Sequence, residues 1–154
     1  MWVYEFLHVL VGILWIGLLY FFNLVQVQSM PQMTEAGAAK PYTQIILPRA
    51  LFLFRWAALL TVVTGIAYYI AGRNTVEGIP SGEIMVGMLL GIIMAGNVWF
   101  IIWPNQKKII AGELEGEALA KAKRYAFLAS RTNAWLSIPM LIGMVAANHG
   151  GIGF

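Results

Sequence analysis

Apolar positions fall into four long runs, at residues 3–25, 51–71, 84–103 and 126–148, separated by shorter stretches rich in proline, glycine or charge. A hydrocarbon layer about 30 Å thick is crossed by roughly 20 helical residues, and each run reaches that length. The pattern predicts an all-α integral membrane protein, a four-transmembrane-helix bundle forming a single membrane domain over residues 1–154.

The connecting stretches differ in kind. "QSMPQMTEAGAAKPYTQIILPRA" holds three prolines and no helical period, which predicts a loop partly hugging the membrane through Ile45, Ile46 and Leu47. "GRNTVEGIPSGE" predicts a turn-rich connector. In "KKIIAGELEGEALAKAKRYAFLASR", Ile109, Ile110, Leu114 and Leu119 lie among alternating acids and bases, which predicts an amphipathic helix running into the fourth span. Glu117 and Lys121 form an i,i+4 pair on its exposed face. Gly87, Gly91 and Ala95 make a small-residue stripe that lets two helix backbones approach, and Pro139 inside the fourth run predicts a kink.

Composition agrees with the pattern: 60% of the 154 residues are hydrophobic, 11% are charged, and the mean hydropathy is +0.73. Cysteine is absent, which excludes disulfides, thiolate metal sites and covalent attachment of a c-type haem. Residues 1–7 lack the positive region of a signal peptide, so the first helix is expected to be retained. Basic residues set orientation. Lys40 and Arg49 lie in the first link, and Lys107, Lys108, Lys121, Lys123 and Arg124 in the third, with Arg131 just inside the fourth run. Only Arg73 falls in the second link. The expectation is a multi-pass protein of a bacterial inner membrane with both termini periplasmic. Nothing in the chain points to nucleic acid.

Candidate chemistry begins with the histidines, His8 and His149. An even number of spans separates them, so both belong to the outer leaflet. Two imidazoles at similar depth are what a six-coordinate haem b needs, one on each face of the macrocycle. A divalent metal is a second use, with Glu5 the nearest acid, and copper a third. Two separate histidines at the headgroup level are the alternative. Gly12, one turn inward of His8, and Gly143, Ala146 and Ala147 before His149, leave room for a flat ring, which Trp15 is placed to stack on or seal.

A second polar set, Asn23, Arg55, Asn97 and Asn133, lies near the opposite ends of the four runs. A charged residue in a span faces the bundle interior or a watered cavity, so Arg55 is a candidate ligand for an anion, a quinone or a lipid headgroup. The alternative is an Arg55 that snorkels to the interface, with the asparagines as hydrogen-bonding glue. Trp56, Trp99, Trp103 and Trp135 share that level, as an interfacial aromatic belt does.

Three stretches together carry a resemblance: "FLHVLVGILWIGLLYFFN", "NVWFIIWPNQKKI" and "ASRTNAWLSIPMLIGMVAANH". They resemble the membrane domain of the cytochrome-c-linked bacterial urate oxidases of the PuuD type. The first stretch is similar also, more loosely, to HemJ-type protoporphyrinogen oxidases and CopD-like copper proteins. The resemblance implies a redox membrane protein whose matching positions are His8, Trp15, Asn105, Arg131, Asn133 and His149. Full-length members have more spans and a C-terminal cytochrome c. The expectation for this chain is a homo-oligomer or a subunit of a larger membrane complex, passing electrons to a separate periplasmic cytochrome c.

Three functions follow as expectations. The first is electron transfer, with His8 and His149 holding haem b and relaying electrons between a quinone or small organic reductant and a periplasmic partner. The second is a urate-oxidase-like oxidoreductase acting with a separate cytochrome c. The third is a non-catalytic accessory subunit of a respiratory or oxidase complex.

Overall fold

A computed structural model describes residues 2–73 and 82–146, and every described element is helical. Four helices account for it: α1 Trp2–Glu35, α2 Ala39–Gly72, α3 Gly82–Ala111 and α4 Gly116–Ala146. α1, α2 and α3 are long and apolar enough to cross a membrane. α4 is as long, but its first half carries Glu117, Lys121, Lys123, Arg124 and Arg131. The four predicted runs lie within these helices, except for residues 147 and 148 of the last, which fall outside the described residues.

The first link corrects an expectation. It is helical rather than a loop: α1 continues to Glu35 and α2 begins at Ala39, so only residues 36–38 turn. Gly37 closes that turn at φ 70, where a side chain would be strained. The amide of Ala38 donates to Met33 O at 2.8 Å. Pro31 is carried inside an α-helical stretch, whereas at Pro48 the backbone changes pitch just before the proline. π-helical turns occupy Phe21–Gln26, Tyr42–Ile46 and Val98–Ile102. A helical proline clashes with the carbonyl four residues before it. For Pro48 and Pro104 those carbonyls belong to Gln44 and Phe100, both inside a π turn, whose wider ring gives them space.

The third link is corrected too. α3 runs through Lys107, Lys108, Ile109 and Ile110 and stops at Ala111, where Gly112 takes a left-handed φ of 68. The amide of Gly112 bonds Ile109 O at 3.2 Å and that of Glu113 bonds Lys108 O at 3.1 Å, a glycine-terminated helix end. The amphipathic segment is therefore two helix ends rather than one extension.

α1 packs along α2, and α3 along α4, as two hairpins with slighter contact between them. Small residues allow the second pairing. A Cβ built on Gly143 would stand 2.5 Å from Glu83 O and 3.1 Å from Gly87 N. At Gly87 the small-residue stripe of α3 thus meets α4 of the same chain, while Gly91 faces open space. Trp15, Leu19, Phe54, Met94 and Val98 are fully buried between the hairpins. Outward positions such as Phe6, Ile13, Leu89, Phe100 and Ile142 are exposed and apolar.

Candidate functional site

His8 sits on α1, one helical turn after Glu5, and turns toward α2. Its Nδ1 is 2.8 Å from Thr61 O and 3.4 Å from Thr64 Oγ1. A carbonyl only accepts, so Nδ1 carries the proton and, in the neutral ring, Nε2 carries the free lone pair. Histidine ligands of metals are oriented in this way, by a carbonyl on the other nitrogen. The Thr64 hydroxyl donates to Leu60 O at 2.6 Å, which turns its own lone pairs toward the imidazole. Gly65 clears the space: a Cβ there would lie 2.8 Å from His8 Cε1 and 3.0 Å from Nδ1.

The ring borders a cavity of about 50 Å³ at the seam of the two hairpins. Its walls are His8 and Trp15 from α1, Thr61 and Gly65 from α2, Met88 and Gly91 from α3, and Met140 and Met144 from α4. Trp15 is buried, and its Nε1 has no hydrogen-bond partner. An indole N–H normally finds an acceptor when buried, so Trp15, two turns along α1 from His8, carries an unsatisfied donor.

Gly12 does not reach this wall. A Cβ on it would make an ordinary 3.8 Å contact with Thr61 Cγ2, so Gly12 serves the α1–α2 approach. The space beside Gly143 is filled by the α3 backbone and holds no ring. Ala147 and His149 lie outside the described residues. Among the described residues no three His, Cys, Asp or Glu side chains gather as a metal-binding group, and Glu5 is hydrogen-bonded to Tyr68. A haem does not fit this geometry. The donor atom suits an axial ligand, but the enclosed volume is far below the roughly 300–1,000 Å³ of pockets that enclose larger ligands. The cavity admits a metal ion or a few waters, not a macrocycle.

The second polar set divides. Asn97 Nδ2 donates to Asn133 Oδ1 at 2.8 Å, and Asn133 Nδ2 donates to Met94 O at 2.9 Å. Asn23 Nδ2 reaches Leu19 O and Ser130 Oγ, each at 2.9 Å, and Tyr20 Oη meets Ser137 Oγ at 2.9 Å. These bonds tie α1 and α3 to α4, so the asparagines are interhelical glue. Arg55 stands apart from them. Its guanidinium carbon is 3.9 Å from the centre of the Trp103 ring, and its Nε is buried without a partner. Asn105 donates to Ile101 O of its own helix at 2.7 Å, and Arg131 is exposed.

Thr61, Thr64, Gly65 and the three methionines escaped sequence reasoning. Nothing in their types marks them; their role exists only in the register between helices.

Residues 80–154 match the urate oxidase N-terminal family, so α3 and α4 carry that family's sequence character while His8, Trp15 and Arg55 precede the matched segment. No curated protein and no solved structure matches the chain.

Proposed function

We propose that the chain is a membrane-embedded redox subunit of the urate oxidase N-terminal kind, in which Nε2 of His8 ligates a redox metal. One observation carries this reading: the 2.8 Å bond from Nδ1 to Thr61 O, over the bare backbone of Gly65, leaves Nε2 as the ligating nitrogen. The unpartnered Trp15 N–H, on a residue that lines the same cavity, is in keeping with it.

The metal has two forms, each with its own support. Haem b, with His149 as second ligand, is favoured by the histidine pair and by the family likeness but does not fit the space beside His8, so the reading rests on the second form. Copper is favoured by the cavity of about 50 Å³ and by the thioethers of Met88, Met140 and Met144 beside His8, a soft donor set that selects the cuprous ion. Either group supplies one-electron chemistry. The chain's own residues orient the imidazole, exclude bulk water and separate the site from the opposite membrane face by the packed layer from Trp15 to Val98.

The four helices form a multi-pass bundle in a bacterial inner membrane, both termini periplasmic, in keeping with the basic residues of the first and third links. There the site would pass electrons from a quinone or small organic reductant to a periplasmic cytochrome c, in a homo-oligomer or a larger complex. Urate oxidation is a second reading, favoured by the match over residues 80–154.

Detergent-purified protein tests the proposal through reduced-minus-oxidised spectra and metal analysis. A b-type band or stoichiometric copper, lost in His8→Ala, is the expected result. Neither metal present, or one unaffected by His8→Ala, refutes it. Urate-dependent reduction of added cytochrome c tests the second reading.

A further inference from the structure

Arg55 is the one charged residue within the apolar stretch 51–71 of α2, close to the end of it that bears the tryptophans. No carboxylate pairs with it among the described residues. The acids at that end, Glu35, Glu113, Glu115 and Glu117, are exposed at or beside the links. A charge in hydrocarbon without a counter-charge is costly, yet the surroundings hold this one in place. The guanidinium stacks on Trp103 at 3.9 Å, with Phe52 at 5.4 Å and Trp99 at 5.8 Å from its carbon. Trp99 is itself fixed, its Nε1 donating to Arg55 O at 3.0 Å and its ring meeting Trp56 edge-on at 5.5 Å.

Stacking occupies the face of a guanidinium and leaves its in-plane N–H groups for oxygen acceptors. Of these, Nε is buried and bonded to nothing. Arg55 is half-buried, and Phe52 and Trp56 on the same helix are exposed. A guanidinium held by stacking offers its accessible N–H groups to an oxyanion with two oxygens on one centre. Tryptophans mark the headgroup level of a bilayer, and exposed Lys107 and Lys108 lie one turn beyond Trp103.

We propose that Arg55, framed by Phe52, Trp99 and Trp103, is a binding site for a phosphate oxyanion, filled by the phosphodiester of a membrane lipid whose acyl chains lie along the exposed apolar face of α2 and α3. The proposal rests on the membrane-embedded reading above but not on any metal at His8.

Protein in a phosphate-free nonionic detergent is titrated with phosphatidylglycerol, with diacylglycerol and with inorganic phosphate, reading bound lipid by native mass spectrometry and stability by thermal shift. Phosphatidylglycerol is expected to bind and stabilise, diacylglycerol not, and Arg55→Gln to weaken phosphatidylglycerol at least about tenfold, as loss of a charged hydrogen bond does. Arg55→Lys, which keeps the charge and loses the fork, should fall between, and Arg49→Gln should match the wild type. Should Arg55→Gln fail to fold, Arg55→Lys and the three ligands on wild-type protein still decide. Equal binding of phosphatidylglycerol and diacylglycerol, or unchanged binding in Arg55→Lys and Arg55→Gln, overturns the site. Response to inorganic phosphate with none to phosphatidylglycerol overturns the lipid as its occupant. Release from membranes by alkaline carbonate without detergent would refute the membrane reading separately.

Discussion

The imidazole of His8 lies against the backbone of Gly65, so close that a single added carbon on Gly65 would stand 2.8 Å from Cε1 and 3.0 Å from Nδ1. The glycine of one helix thus defines the position of the histidine on another. Gly65→Ala should improve helix propensity while forcing the ring away from Thr61 O, a clash that costs about 1–3 kcal/mol when neighbours must move. On the proposed reading of a metal at His8, the expected outcome is folded protein with its metal content sharply reduced, checked by circular dichroism and metal analysis on one sample. Full metal content in Gly65→Ala would show that the ring's position is immaterial.

Trp15 offers a test of opposite sign. Its indole N–H is buried and unpartnered, and such a group destabilises by about 1–3 kcal/mol relative to one never buried. Trp15→Phe removes the donor at some loss of packing, so the metal-free protein should change little in thermal stability. The metal-loaded protein should lose more, because a bonding partner goes with the indole. Equal shifts in both forms would assign Trp15 to packing alone.

Asn133 is wholly buried and bridges Asn97 to Met94 O. Asn133→Ala strands the Asn97 amide and the Met94 carbonyl, and about 1–3 kcal/mol should be lost in thermal unfolding. Asn97→Ala leaves Asn133 its bond to Met94 and should cost less. The order of the two variants, read in one detergent, checks the network.

Gly143 meets backbone, which cannot swing aside: its Cβ would lie 2.5 Å from Glu83 O. Gly87 also meets a backbone atom, Met140 O at 3.2 Å, but its other close neighbour is the flexible Met144 chain. Gly143→Ala should therefore destabilise more than Gly87→Ala, by about 1–3 kcal/mol or above. Melting temperatures of the pair decide it.

Much of this was visible in the order of residues, and the exceptions share a cause. Four apolar runs mark four helices because long runs of apolar residues favour continuous helix, and length is written locally. Asn23, Asn97 and Asn133 declare themselves by polarity, and their bonding as glue was one of the two readings open for them. Pro31, Pro41 and Pro48 misled for different reasons: Pro31 is borne within an α-helix, Pro41 stands in the first turn of α2, and Pro48 follows a π turn that makes room for it. The end of α3 misled in the other direction: Gly112 was present as a terminator, but alternating charge across it suggested continuity. The cavity was least legible. Thr61 and Gly65 are unremarkable in an apolar helix, and only the register of α2 against α1 sets one carbonyl and one missing side chain beside His8.

The π turns carry a consequence for variation in length. Each packs one residue more than an α turn into the same advance, and so rotates everything beyond it by about 100°. Deletion of one residue from a helix interior is ordinarily ruinous, because every later side chain changes face. Within Val98–Ile102 the same deletion would let the bulge relax to α geometry while Trp103 and the rest of the helix keep their orientation. Relatives shorter by one residue at this place can hold the same packing, and an alignment that forbids a gap inside the helix would misplace the tryptophans that frame Arg55.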